Sequence, residues 1–163
     1  MHGWWAAKLR RTRSYLRAEV TPTERDSLTG RLGPAQLALF DRMHLADRRH
    51  GLDVLADLER RGVTAADLLV AGLLHDCGKG PRVRFVHRVA WSLGRRYGAS
   101  IWRWSSHLPT FRAGLAAMRD HAERSARLAG EAGCSARTVD LIRNQENPTD
   151  DEGRLLLEAD EAT

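Results

Sequence analysis

The chain has 163 residues and a mass of 18.3 kDa, and at 42% apolar and 29% charged it suits one compact domain and is too apolar for a disordered one. Its formal charge of +5, from 26 basic and 21 acidic groups with a pI near 10.0, suggests a nucleic-acid binder at first reading. Cys77 and Cys134 are the only cysteines and lack paired spacing, which excludes a disulfide framework or a cysteine-built zinc module. No stretch reaches the roughly 20 apolar residues of a membrane span, and residues 1–17 lack the apolar core of about 7–15 residues that marks a signal peptide. A reduced, cytoplasmic protein is expected.

The elements read as helical throughout, because no segment alternates apolar and polar residues as a half-buried strand does. The first predicted helix, 4–18, carries Trp4, Trp5, Leu9 and Leu16 beside five basic residues and no acidic one. It is expected to dock as a basic extension, 1–33, on a domain spanning 34–163, with peripheral membrane contact as the other reading. Thr21-Pro22-Thr23-Glu24 has the spacing of a capping box with proline at the first helical position and starts a helix over 22–31. Gly33-Pro34 starts the next, 34–43, and a helix over 46–61 follows. Thr64 and Asp67 repeat the cap spacing before 65–77. Helices over 85–97, 110–118 and 121–132 come next, with Asp120 as the cap of the last. Ser135 opens 136–146, and Thr149 with Glu152 opens 151–162.

The most informative stretch is 64–80, TAADLLVAGLLHDCGKG. Leu68 to Leu74 is apolar on every side, which predicts a buried helix. His75, Asp76 and Lys79 then stand at its end, where charge is costly unless it is paired or bound to a cation. Read alone, each polar residue has an ordinary structural role. His50 suits a helix-face imidazole bonded to a backbone carbonyl, Asp160 a surface charge near the end of a frayed helix, and Lys79 a cation capping a helix C-terminus. Cys77 reads as a small buried hydrophobe.

Together these residues resemble the HD superfamily of metal-dependent phosphohydrolases: His50 in DRRHGLDVL, the pair His75-Asp76 in LLHDCGK, and Asp160 in LLLEADEAT. The resemblance implies an all-α, single HD-type helical bundle. It also implies one divalent metal ion (Mn, Fe, Co, Ni, Zn or Mg) held by His50, His75, Asp76 and Asp160. Two imidazoles and two carboxylates suit such an ion and leave it able to acidify a water. Asp76 is then expected to ligate and to orient the attacking water, and Lys79 to hold a phosphate oxygen. Relatives with two metals carry further histidines. Here His121 follows Asp120 at a helix start, a natural phosphate neighbourhood, and is expected as a catalytic or substrate-binding group. Asn144-Gln145 stands where a histidine or a pair of them is often found, and amides ligate transition metals poorly, so a complete second site is not expected.

The charge is unevenly spread. Residues 79–119 hold nine basic residues and no acidic one, and with the five of residues 1–18 they leave 12 basic against all 21 acidic residues elsewhere, a net of −9. The tract begins at the HD pair and includes Arg82 and Arg84, expected to bind substrate together with Lys79 and His121. Its aromatics include Trp91, Trp102, Trp104 and Phe111. Three uses compete with a plain packed and solvated face: a funnel for an anionic nucleotide, a membrane-surface patch, and a groove for single-stranded nucleic acid. The expected activity is hydrolysis of a nucleotide or related small phosphate ester or anhydride, with no stable nucleic-acid complex. The alternative is a non-catalytic domain of the same type that binds a nucleotide or an anionic partner.

Overall fold

The computed structural model describes residues 18–80, 83, 87, 90, 98 and 109–163. Every regular element among the described residues is helical, and the fold is all-α. In chain order these are α1 (Pro22–Ser27) with a 3-10 turn (Leu28–Gly30), α2 (Pro34–Asp41), α3 (Leu45–Arg60), α4 (Ala66–Leu74), α5 (Pro109–Arg119), α6 (His121–Glu131), α7 (Ala136–Arg143) and α8 (Asp151–Ala162). The helices predicted over 4–18 and 85–97 fall almost wholly outside the described residues.

Local chemistry explains most of the boundaries. Thr21 Oγ1 accepts from the Glu24 backbone N–H at 3.2 Å while the Glu24 carboxylate accepts from the Thr21 N–H at 2.9 Å, so the capping box forms. Ser135 accepts from Thr138 N–H at 3.0 Å and caps α7. Two caps differ from the predicted ones. Asp150, not Thr149, caps α8 by accepting from Gly153 N–H at 2.8 Å. Helix α4 begins after Ala65, whose methyl side chain offers no cap, and Asp67 accepts from the Ser135 hydroxyl at 2.6 Å and the Thr138 hydroxyl at 3.1 Å. That tie joins the start of α4 to the start of α7.

Helix α4 is the central element. It packs against α2, α3, α7 and α8, and residues 71–78 are buried without a break. Leu73, Leu74, Val54, Leu58, Phe40, Ile142 and Leu156 form the middle of the core, and Leu28 and Leu32 join it from the segment before α2. Each such side chain contributes about 1.5–3 kcal/mol by leaving water. Gly51 sets the spacing of α3 and α4: a Cβ there would lie 2.7 Å from the Leu73 carbonyl oxygen. A glycine inside a helix costs about 1 kcal/mol relative to alanine, and here it permits a backbone-to-backbone approach beside His50.

Two polar links hold α8 against α3. One is His50 with Asp160. In the other, Arg61 joins the buried Asp57 at 2.5 Å to Glu158 at 2.9 Å. Burial alone would raise the Asp57 pKa, but hydrogen bonds from Arg61 and Arg60 outweigh it and hold the carboxyl below its ordinary value.

Candidate metal centre

The polar end of α4 is built as a tight turn. The helix stops at Leu74, three residues before the predicted end, and the chain continues through i→i+3 bonds, Cys77 N–H to Leu74 O at 3.0 Å and Lys79 N–H to Asp76 O at 3.1 Å. This turn is pinned from α6 and from the residues after α7. Gly78 N–H donates to Ser125 Oγ at 2.8 Å, and the buried Gln145 donates from Nε2 to the His75 carbonyl at 3.0 Å. A Cβ on Gly78 would stand 2.5 Å from Ser125 N and 2.6 Å from His121 O, so only glycine fits where the turn crosses α6.

Three imidazoles converge here with one orientation. His75 Nδ1 lies 2.9 Å from the Gly72 carbonyl and His121 Nδ1 2.7 Å from the Met118 carbonyl. A carbonyl can only accept, so both Nδ1 atoms carry the proton and both Nε2 atoms present a lone pair when the ring is neutral. His50 Nδ1 lies 3.4 Å from Thr163 Oγ1, and its Nε2 lies 2.7 Å from Asp160 Oδ1. The His50 and His75 rings meet edge to face with centroids 5.2 Å apart.

Carboxylates face these nitrogens. His75 Nε2 is 3.6 Å from Asp76 Oδ2 and 3.7 Å from Asp160 Oδ1, and His121 Nε2 is 3.7 Å from Asp76 Oδ1. One ligand atom each of His50, His75 and Asp160 lies within 4.8 Å of the others, a possible metal-binding cluster. Asp76 borders it through His75, and its Oδ2 accepts a very short hydrogen bond from the Lys79 ammonium. The cluster is not sealed: the Asp160 side chain is 36% exposed, against 2% for His75 and for Asp76.

His75 tests whether a cation fits. Its Nε2 is buried and has no hydrogen-bond partner, while two carboxylate oxygens stand just beyond bonding range. A neutral ring would leave three acceptors facing one another with no donor between them, an arrangement that needs a positive charge. A proton or a metal ion supplies it. Burial favours neutral His75, but the charges of Asp76 and Asp160 prevail, and without a metal its pKa is pushed up to about 9. Burial likewise opposes ionisation of Asp76, and the charges of Lys79, His75 and His121 overcome it and hold the carboxyl far below the usual range. Asp160 is held low in the same way, by the hydrogen bond from His50 and the nearby charge of His75. His121 is lowered, by burial first and Lys79 second. One or two carboxylates with two imidazoles form a donor set that fits a borderline divalent ion.

The structure therefore brings six of the predicted site residues to one place: His50, His75, Asp76, Asp160, His121 and Lys79. The Lys79 ammonium engages Asp76 rather than standing free for a phosphate oxygen. Arg82 and Arg84 lie outside the described residues, as do Trp91, Trp102 and Trp104. Of the nine basic residues of 79–119, only Lys79 and Arg119 have described side chains, and Arg119 pairs with Asp120 at 2.7 Å. Phe111 packs its ring 5.0 Å from that of His87. The buried Cys77 donates weakly to Ser125 O, and burial pushes its thiol up to about 12, which makes it no nucleophile. Gln145, read from the sequence only as a missing histidine, acts on the centre by holding the His75 carbonyl. Among the described residues no helix is long and apolar enough to cross a membrane. No family model, curated protein or solved structure matches the chain.

Proposed function

We propose that the chain is a metal-dependent phosphohydrolase of the HD type, acting on a nucleotide or a related small phosphate ester or anhydride. One divalent ion would be held by His50, His75 and Asp160, with Asp76 completing the set. The observation that carries the reading is the buried His75 Nε2, directed between two carboxylates with nothing to bond. The resemblance of the His50, His75-Asp76 and Asp160 pattern to the superfamily supplies the reaction class.

When bound, such an ion supplies a Lewis acid and lowers the pKa of a water. The chain's own residues do the rest. Gly72 O and Met118 O fix the ring orientation of His75 and His121 by accepting from Nδ1, the usual role of partners behind a ligand. Lys79 keeps Asp76 ionised and holds its Oδ2, leaving Oδ1 toward His121. His121 Nε2 is the atom at which a proton can be taken up during hydrolysis.

One observation favours a second reading. Asp76, expected to orient the attacking water, is engaged by Lys79 and stands outside the three-residue cluster, as suits a domain that binds an anion without hydrolysing it. Rates on nitrophenyl phosphate and a nucleotide panel, for the wild type and Asp76→Ala, decide between them. Metal-dependent hydrolysis lost in Asp76→Ala supports catalysis. Equal rates in the two proteins, or none in either, contradict it.

A further inference from the structure

If the site takes phosphate, as proposed above, it needs a cation free to meet the substrate, and Lys79 is engaged. The same holds for three other described cations around α6. Arg119 pairs with Asp120 at 2.7 Å, Arg143 with Glu123 at 3.0 Å and Arg127 with Glu131. Arg124 has no carboxylate within ion-pair distance among the described residues, and every acidic residue of the chain lies among them.

Its position is defined by the turn that carries Asp76. His121, Arg124 and Ser125 share one face of α6 by their spacing, and that face lies on residues 76–80. Gly78 meets His121 O and Ser125, while a Cβ on Gly80 would lie 3.7 Å from Arg124 Nη2. Gly80 has φ +68°, a left-handed bend that turns the chain there. Arg124 therefore stands at the exposed rim of the turn, three residues along the same helix from His121.

From this geometry we infer that Arg124 binds a second anionic group of the substrate, beyond the phosphate at the metal cluster. Its planar fork matches two phosphate oxygens at once. The inference narrows the substrate class to small phosphate compounds with a second anion, such as a diphosphate or a bisphosphate.

The test is calorimetric titration with inorganic pyrophosphate and with orthophosphate. It is run on the metal-free protein and again with the metal ion in excess over the anion, for the wild type, Arg124→Ala and Arg127→Ala. In Arg124→Ala, pyrophosphate binding is expected to weaken about tenfold, the loss of one charge-assisted contact, and orthophosphate binding by less than about twofold. Arg127→Ala should match the wild type, and circular dichroism and metal uptake should be unchanged in both variants. The inference is overturned if the wild type binds no pyrophosphate in either state. It is equally overturned if Arg124→Ala binds pyrophosphate normally, loses both anions equally, or is matched by Arg127→Ala. Metal uptake is read separately. A chain that takes no metal yet shows the Arg124-dependent difference refutes the metal proposal and leaves this one standing.

Discussion

Gly51→Ala is the perturbation whose consequences follow most closely from the geometry. The new methyl carbon would stand 2.7 Å from the Leu73 carbonyl oxygen, a backbone atom within a helix that no rotamer change can move. To reach the roughly 3.3 Å at which carbon–oxygen contacts begin, α3 and α4 must separate by about 0.6 Å. Overpacking of this kind costs about 1–3 kcal/mol, and the better helix propensity of alanine offsets about 1 kcal/mol. The net loss is then at most about 2 kcal/mol, or up to about 8 °C in melting temperature for a chain of this size. The separation also acts on the metal centre, because His50 is the neighbour of Gly51 while His75 ends α4. Metal affinity is expected to fall about tenfold, as for a ligand moved out of position. Gly30→Ala is the control, since nothing lies within 4 Å of a Cβ there. Thermal melts and metal titrations of the three proteins read both effects. If Gly51→Ala matches the wild type in both, the close approach does not position His50.

Three further outcomes follow from named contacts. Gln145→Leu keeps the volume but leaves the buried His75 carbonyl without its donor. Denaturant unfolding should show a loss of about 1–3 kcal/mol together with weaker metal binding, and unchanged values would remove Gln145 from the centre. In the metal-free protein the His75 pKa of about 9 lies above the ordinary 6.5. Its proton therefore contributes stability that is complete below about pH 6.5 and is lost as pH rises through about 9. The melting temperature after chelation should fall across that window, whereas the metal-loaded protein, in which an ion replaces the proton, should not show this fall. A flat metal-free profile argues against the charge cluster. Cys77, buried and with its thiol pushed up to about 12, should resist iodoacetamide at pH 8 until denaturant is added; labelling of the native protein, read by mass spectrometry, would contradict that burial.

The parts of the fold legible in the sequence are those governed by local rules. The run from Leu68 to Leu74 is apolar all round, and burial on every side is the only arrangement that satisfies it. The capping box at Thr21 and the cap at Ser135 also follow from neighbours within three residues. Legibility fails where a distant partner decides. Asp67 has the spacing to serve the Thr64 cap, but hydroxyls 68 and 71 residues away draw it to α7. The same holds at the site. No periodicity brings His50 to Asp160, 110 residues on; only the resemblance to a known pattern puts them in one site, as ligands of one ion, and in the structure they bond each other directly at 2.7 Å. Gln145 was invisible as a positioning residue because its partner is a carbonyl 70 residues earlier. The Lys79–Asp76 pair, by contrast, has an i,i+3 spacing that already invites an ion pair, which differs from both roles expected of Lys79, a helix C-terminal cap and a phosphate contact. The net charge of +5 is a poor guide for a related reason: the described arginines of α6 and its surroundings are largely paired, and the informative one is Arg124, which is not.

The central claim, that the convergence of His50, His75 and Asp160 holds a metal ion, is tested most directly by metal content. The chain would be purified without chelator, reconstituted with Mn(II) or another first-row divalent ion and desalted. The account predicts about one equivalent per chain in the wild type and none in a His75→Ala, Asp160→Ala double variant that remains helical. A folded wild-type chain that retains no metal after reconstitution would contradict it.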